Sequence, residues 1–191
     1  MQRRVLVVAD TTDGWPPRPA EHARGFYAVV SLGDLHSSEV AQLIPAGRPL
    51  LGVYGNHCVP GYLEKLGGTD LSGGGIAAVT DTVLGRVLGV SGCVRYKAGS
   101  SDPLWTQEQY RRALQDLPRA DVVITHCPPA GCNDDPGDPA HMGIGALADY
   151  VREHRPSLLV HGHTYPQPAC TMFAGVAVRY VHGWASMPWP I

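Results

Sequence analysis

Short continuous apolar runs alternate with longer polar stretches along this chain, and most of the runs stop at an acidic, amide or imidazole side chain. After Arg4 the residues Val-Leu-Val-Val-Ala show no alternation of apolar and polar positions, which predicts a strand over 4–9 buried on both faces. Comparable runs predict strands over 28–32, 50–54, 122–125, 158–160 and 176–181. Segments 76–80 and 87–91 flank a turn near Gly85 and read as an antiparallel pair. Helical spacing of Tyr110, Ala113, Leu114 and Leu117 predicts a helix over 106–117 that Pro118 ends. Further helices are expected over 37–43, capped by Ser37 or Ser38, and over 144–154, stopped before Pro156. The stretch 11–24, with Asp, Gly and three prolines, reads as a loop with a short helix near 20–24. The Gly-rich stretch 67–75 reads as a flexible connector, and 128–142 as a Pro/Gly/Asp loop.

The order is strand and helix in alternation, a hairpin, then alternation again. That order predicts an α/β fold of two mixed sheets packed face to face with helices outside, a four-layer α-β-β-α sandwich. One domain spanning 1–191 is expected, since the length suits a single core. The polar clusters that interrupt the runs follow directly after strands, and sites in α/β sheets gather at strand carboxyl ends. Five clusters distant in sequence are therefore expected to meet.

Composition narrows the partners. With 44% apolar and 17% charged residues the chain is globular rather than disordered. The formal net charge is −2, and the basic pairs Arg3-Arg4 and Arg111-Arg112 are short, so the basic face a nucleic-acid binder needs is missing. No apolar run is long enough to cross a bilayer. The apolar run after Arg3-Arg4 is too short for a signal peptide and reaches Asp10 without a cleavage pattern, so a cytoplasmic location is expected. The five cysteines (58, 93, 127, 132 and 170) form no CxxC pair and read as reduced thiols rather than zinc ligands. Oligomeric state is unreadable from the sequence.

The clusters are Asp10, Gly33-Asp34, Gly55-Asn56-His57, Thr125-His126 and His161-Gly162-His163. Singly each is bland: a Gly-Asp pair is ordinary turn chemistry, and a lone histidine is usually structural. Together, carboxylate, amide oxygen and imidazole suit borderline divalent metals, and a bridging carboxylate can hold two ions about 3.5–4 Å apart. Glycine beside each ligand lets the backbone turn sharply. Cys127 beside His126 could suggest a Cys/His nucleophile, but no orienting partner is evident and His126 serves better as a ligand.

In this order the motifs resemble those of the calcineurin-like metallophosphoesterases, over 10–163. Thr125-His126-Cys127-Pro128-Pro129, then His141-Met142-Gly143 and the His-Gly-His turn, look like a subgroup of small bacterial-type members. The resemblance implies a metal-dependent phosphoesterase acting on a small phosphomonoester or phosphodiester. It implies two divalent ions, manganese or iron, with zinc or nickel also compatible. Asp10, Asp34 and His163 would hold the first ion, with Asp34 bridging, and Asn56, His126 and His161 the second. His57 would assist the leaving group. His36 and His141 are candidate substrate contacts, and His182, ending a strand, is placed to line the site.

Two positions depart from the family pattern. The usual Asp-x-His is Asp10-Thr11-Thr12 here, so Asp13 or water would replace a ligand to the first ion. Cys58 stands where an acid commonly braces the loop. The first departure supports an alternative reading, a catalytically impaired scaffold that binds protein. A nuclease is the third, disfavoured by length and charge.

Overall fold

The computed structural model describes residues 3–10 and 15–190. In chain order the first half forms β1 (Arg4–Ala9), α1 (Pro19–Ala23), β2 (Ala28–Ser31), α2 (Ser37–Ala41), β3 (Leu50–Gly52), α3 (Tyr62–Lys65), β4 (Thr69–Asp70), β5 (Ala77–Thr82) and β6 (Gly85–Val90). Then follow β7 (Cys93–Val94), β8 (Leu104–Trp105), α4 (Gln107–Leu114), β9 (Val122–Thr125), α5 (Gly145–His154), β10 (Leu158–His161), β11 (Met172–Phe173), β12 (Val176–Tyr180) and β13 (Gly183–Pro188).

Two mixed sheets result. One runs β13-β1-β2-β3-β4, with β1 to β4 parallel and β13 antiparallel to β1. The other runs β11-β12-β10-β9-β6-β5, with β12, β10, β9 and β6 parallel and the edge strands antiparallel. The continuous apolar runs are explained by burial on both faces. Val5, Val7 and Ala9 of β1 join Val122, Ile124, Leu158 and Val160 in a core between the sheets. Leu6 and Val8 face the other way, onto Ala23, Val40 and Leu63 of the helices. Across the second sheet, Leu88, Val123, Leu159 and Val178 pack beneath Tyr110 and Leu114 of α4 and Leu147 and Val151 of α5. Helices thus cover the outer face of each sheet, giving the expected α-β-β-α layers.

Three local expectations change. Helix α2 is capped by His36 rather than by Ser37 or Ser38. Its Nδ1 accepts from the Ser38 amide, and Glu39 Oε2 accepts from the His36 amide at 2.7 Å. The supposed connector 67–75 is ordered. It contains β4, buries Leu71 completely, and is tied by Asp70, which accepts from the amides of Ser72 and Gly74 at 2.8 Å each. A whole strand, β13, follows residue 182, and behind it Trp189 is buried with its indole N–H on the Leu84 carbonyl at 2.9 Å. Helix α4 starts as predicted, with a reciprocal Thr106/Gln109 capping box. Among the described residues, no helix is long and apolar enough to cross a membrane.

Candidate metal centre

The parallel strands of both sheets aim their carboxyl ends at one crevice. Asp10 follows β1, Asp34 follows β2, Asn56 follows β3, His126 follows β9 and His163 follows β10. Backbone bonds join these ends: the Asp10 amide donates to the Gly33 carbonyl at 3.0 Å, and the Gly162 amide to the His126 carbonyl at 3.0 Å. Asp10, Asp34 and His163 all hold positive φ (57°, 54° and 76°), a region costly for side-chain-bearing residues and tolerated where a site demands it. Gly55 is needed for contact rather than conformation. A β-carbon there would lie 2.1 Å from Asp34 Oδ1.

Around His126 Nε2 the polar atoms are dense. Asn56 Oδ1 lies at 3.1 Å, His163 Nδ1 at 3.2 Å and Asp34 Oδ2 at 3.3 Å. Each ring's tautomer follows from its other nitrogen. His126 Nδ1 meets the Leu32 carbonyl at 2.9 Å and His163 Nε2 the Ala140 carbonyl at 2.8 Å, and a carbonyl only accepts. The N–H groups therefore point outward, and the remaining nitrogens face each other across the crevice with a carboxylate and an amide oxygen. One proton on His126 Nε2 cannot satisfy the three acceptors around it. A divalent cation can, and the mixed oxygen and imidazole set fits one. Atoms of Asp34, His126 and His163 lie within 4.8 Å of one another, close enough to share an ion.

Electrostatics agree with this geometry. Burial opposes charge on both Asp34 and His126, yet their mutual attraction prevails. Asp34 is lowered to about 2 and His126 raised to about 9, a buried ion pair in the absence of metal. Burial and the neighbouring His126 charge lower His163 to about 3, so its ring stays neutral with a lone pair free to bind. Asp10, deeply buried and near Asp34, is raised by desolvation, although His126 and the His163 amide at 3.2 Å partly offset this. His182 lies at its side, Nδ1 to Oδ2 3.8 Å.

His161 stands apart from this group, so one of the two turn histidines, His163, is brought to it. Residues 158 and 160 face the other sheet while 159 faces the helices, so the period of two puts residue 161 on the helix side. Both its nitrogens are satisfied there: Nδ1 donates to the Gly162 carbonyl at 2.9 Å, and Nε2 accepts from Asn133 Nδ2 at 2.8 Å. Burial lowers it to about 4. It is His163 that joins His126 and Asn56. Asn133, which nothing in the sequence singled out, holds His161 in place.

The remaining candidates divide by position. His57 is exposed, and its amide donates to Asp34 Oδ1 at 2.8 Å. His36, besides capping α2, lines a cavity of about 520 Å³ together with Asp34 and His57. His141 lies on another side, its ring 5.2 Å from that of His163 and its Nδ1 2.7 Å from Asp138. The acids of the 128–142 loop fold it rather than merely face solvent. Asp134 accepts from the Gly131 and Gly143 amides, and Asp135 from Gly137. Cys58 takes over the bracing expected of an acid: its sulfur accepts from the Asp34 and Gly55 amides at 3.1 and 3.2 Å, and burial raises its thiol to about 11. Cys127 is buried, donates to the Met142 carbonyl and is held far above the usual thiol range by desolvation, unsuited to nucleophilic work. Thr12 and Asp13 lie outside the described residues.

The fold and this donor set define a class, an α/β-sandwich protein that gathers metal-binding side chains at the carboxyl ends of two facing sheets. The model of the calcineurin-like phosphoesterase family matches residues 3–167, and the chain belongs to that family. It is accordingly a metal-dependent phosphoesterase in general type, from a family that binds divalent metals. No curated protein matches it.

Proposed function

We propose that the protein hydrolyses a small phosphomonoester or phosphodiester at a two-ion centre. Asp34, Asn56, His126 and His163 would hold one ion. Asp10 would hold the second, with Asp34 bridging and His182 beside it. The observation that carries this reading is the convergence of Asn56 Oδ1, His163 Nδ1 and Asp34 Oδ2 on His126 Nε2, with the two rings oriented by the Leu32 and Ala140 carbonyls. Bound divalent ions of this kind polarise phosphoryl oxygens and make water nucleophilic near neutral pH.

The chain's own residues do the rest. His57 is exposed beside Asp34 and is tethered through its backbone, so its ring is free to reach the leaving oxygen and protonate it. His36 and His141 approach the crevice from two sides and would contact phosphate. Manganese or iron suits the oxygen-rich share of the donor set, while two imidazoles keep zinc and nickel compatible. The gathering of Asp34, Asn56, His126 and His163 in one crevice favours an enzyme over the scaffold reading, and the net charge of −2 favours a small substrate over nucleic acid. We place the protein in the cytoplasm as one domain.

Hydrolysis of bis-p-nitrophenyl phosphate in manganese tests this. Asp34→Asn should lower kcat/KM more than about 100-fold and reduce the bound metal. His57→Ala should lower kcat about 100-fold or more with metal content intact. Full activity in Asp34→Asn would sink the metal mechanism, and less than about one ion per wild-type chain after loading would favour the scaffold.

A further inference from the structure

Beside Asp34 and His57 opens a cavity of about 520 Å³, within the roughly 300–1,000 Å³ typical of small-molecule sites. A phosphate at the metal centre would leave most of it unfilled. One wall belongs to α3. Tyr62, Lys65 and Leu66 are spaced i, i+3 and i+4, so they share a face, and that face borders the cavity. Leu35 also lines it, as do Val59 and Pro60, which follow His57 in the chain. Val59 is 78% exposed, an apolar side chain with little to cover it.

The charge in this space is one-sided. Among the described lining residues Asp34 is the one acid and is engaged by the centre, whereas His36, His57 and Lys65 contribute imidazoles and a cation. Glu64, next to Lys65, is turned onto the Tyr54 hydroxyl and so does not neutralise it. Lys65 is exposed and makes no ion pair with a described carboxylate.

We propose that this cavity receives the alcohol portion of the substrate, an aromatic or comparably apolar group bearing a second anionic substituent that pairs with Lys65. The assignment rests on the phosphoesterase reading and narrows its substrate class. An ester with a neutral leaving group would fill the apolar walls but leave the ammonium unpaired.

Two aryl phosphates of similar shape separate these cases: 4-carboxyphenyl phosphate and 4-carbamoylphenyl phosphate, assayed with the manganese-loaded protein. The wild type should favour the carboxylate about five- to tenfold in kcat/KM, chiefly through KM, and added salt should erode the preference. Lys65→Met should bring the ratio near one, and Lys65→Glu should reverse it, which misfolding cannot do. Calorimetry with the matching non-hydrolysable benzylphosphonates should give the same ranking in Kd without turnover. A wild-type ratio near one that neither variant moves would overturn the cavity assignment while leaving the phosphoesterase reading intact. Loss of both hydrolysis and phosphonate binding in the wild type, together with inert bis-p-nitrophenyl phosphate, would overturn both.

Discussion

At the residue scale, the difference between His161 and His163 shows how tautomers and strand period decide chemistry. His163 presents a bare nitrogen to His126, whereas His161 is saturated by Gly162 and Asn133. His163→Ala should therefore weaken manganese binding at least tenfold. His161→Ala should leave binding within about twofold and instead destabilise the 133–170 junction, with calorimetric titration and a thermal melt reading the two effects. The sequence displayed the His-Gly-His motif, but the motif alone did not say which ring turns inward. The alternation in β10 carried that information, since Leu158 and Val160 face the other sheet and residue 161 cannot.

Protonation supplies a second test at this scale. His126 is raised from an ordinary 6.5 to about 9, because its attraction to Asp34 outweighs burial. In the metal-free protein this pairing stabilises fully below about 6.5, and the contribution fades as pH rises through about 9. Asp34, lowered from 3.8 to about 2, contributes above 3.8 and loses its share as pH falls through about 2. A cation that takes the Nε2 lone pair must displace a proton. Metal uptake at pH 7 should thus release about one proton per ion at this site, visible as buffer-dependent heat, and affinity should climb about tenfold per pH unit toward 9. Buffer-independent heat would show that His126 is not a ligand.

At the element scale, the site depends on turns that bring chains into backbone contact. Gly55 sits against Asp34 so closely that an added methyl would overlap Oδ1 at 2.1 Å and Cγ at 2.6 Å. Gly55→Ala should displace the carboxylate and lower metal affinity tenfold or more while the melting temperature shifts by only a few degrees. Equal loss of fold and binding would point to a general collapse instead. The long elements were legible because their apolar runs or capping residues are strong, as in β1, β9 and α4. The pairs Thr69–Asp70, Cys93–Val94 and Met172–Phe173 were not, because two residues carry no period and pairing depends on neighbours brought by the rest of the fold. Strand β13, Gly-Trp-Ala-Ser-Met-Pro, lacks a β-branched residue and is held by β1 across six paired positions.

At the scale of the whole molecule, two sheets turn separate weak signals into one centre. Asp34 and Asn56 come from the first sheet, His126 and His163 from the second, and the core of Val5, Val7, Val30, Ile124 and Val160 between them fixes their separation. The ordered motifs made the donor types readable from sequence. The cavity beside His57 was not readable, because Leu35, Val59 and Lys65 line one space only once α3 is packed. The most direct test of the account is an anomalous difference map from manganese-loaded crystals. A peak about 2.0–2.4 Å from Asp34 Oδ2, Asn56 Oδ1, His126 Nε2 and His163 Nδ1 is predicted. A fully active, manganese-loaded protein whose peak lies away from His126 and His163, or on His161, would contradict it.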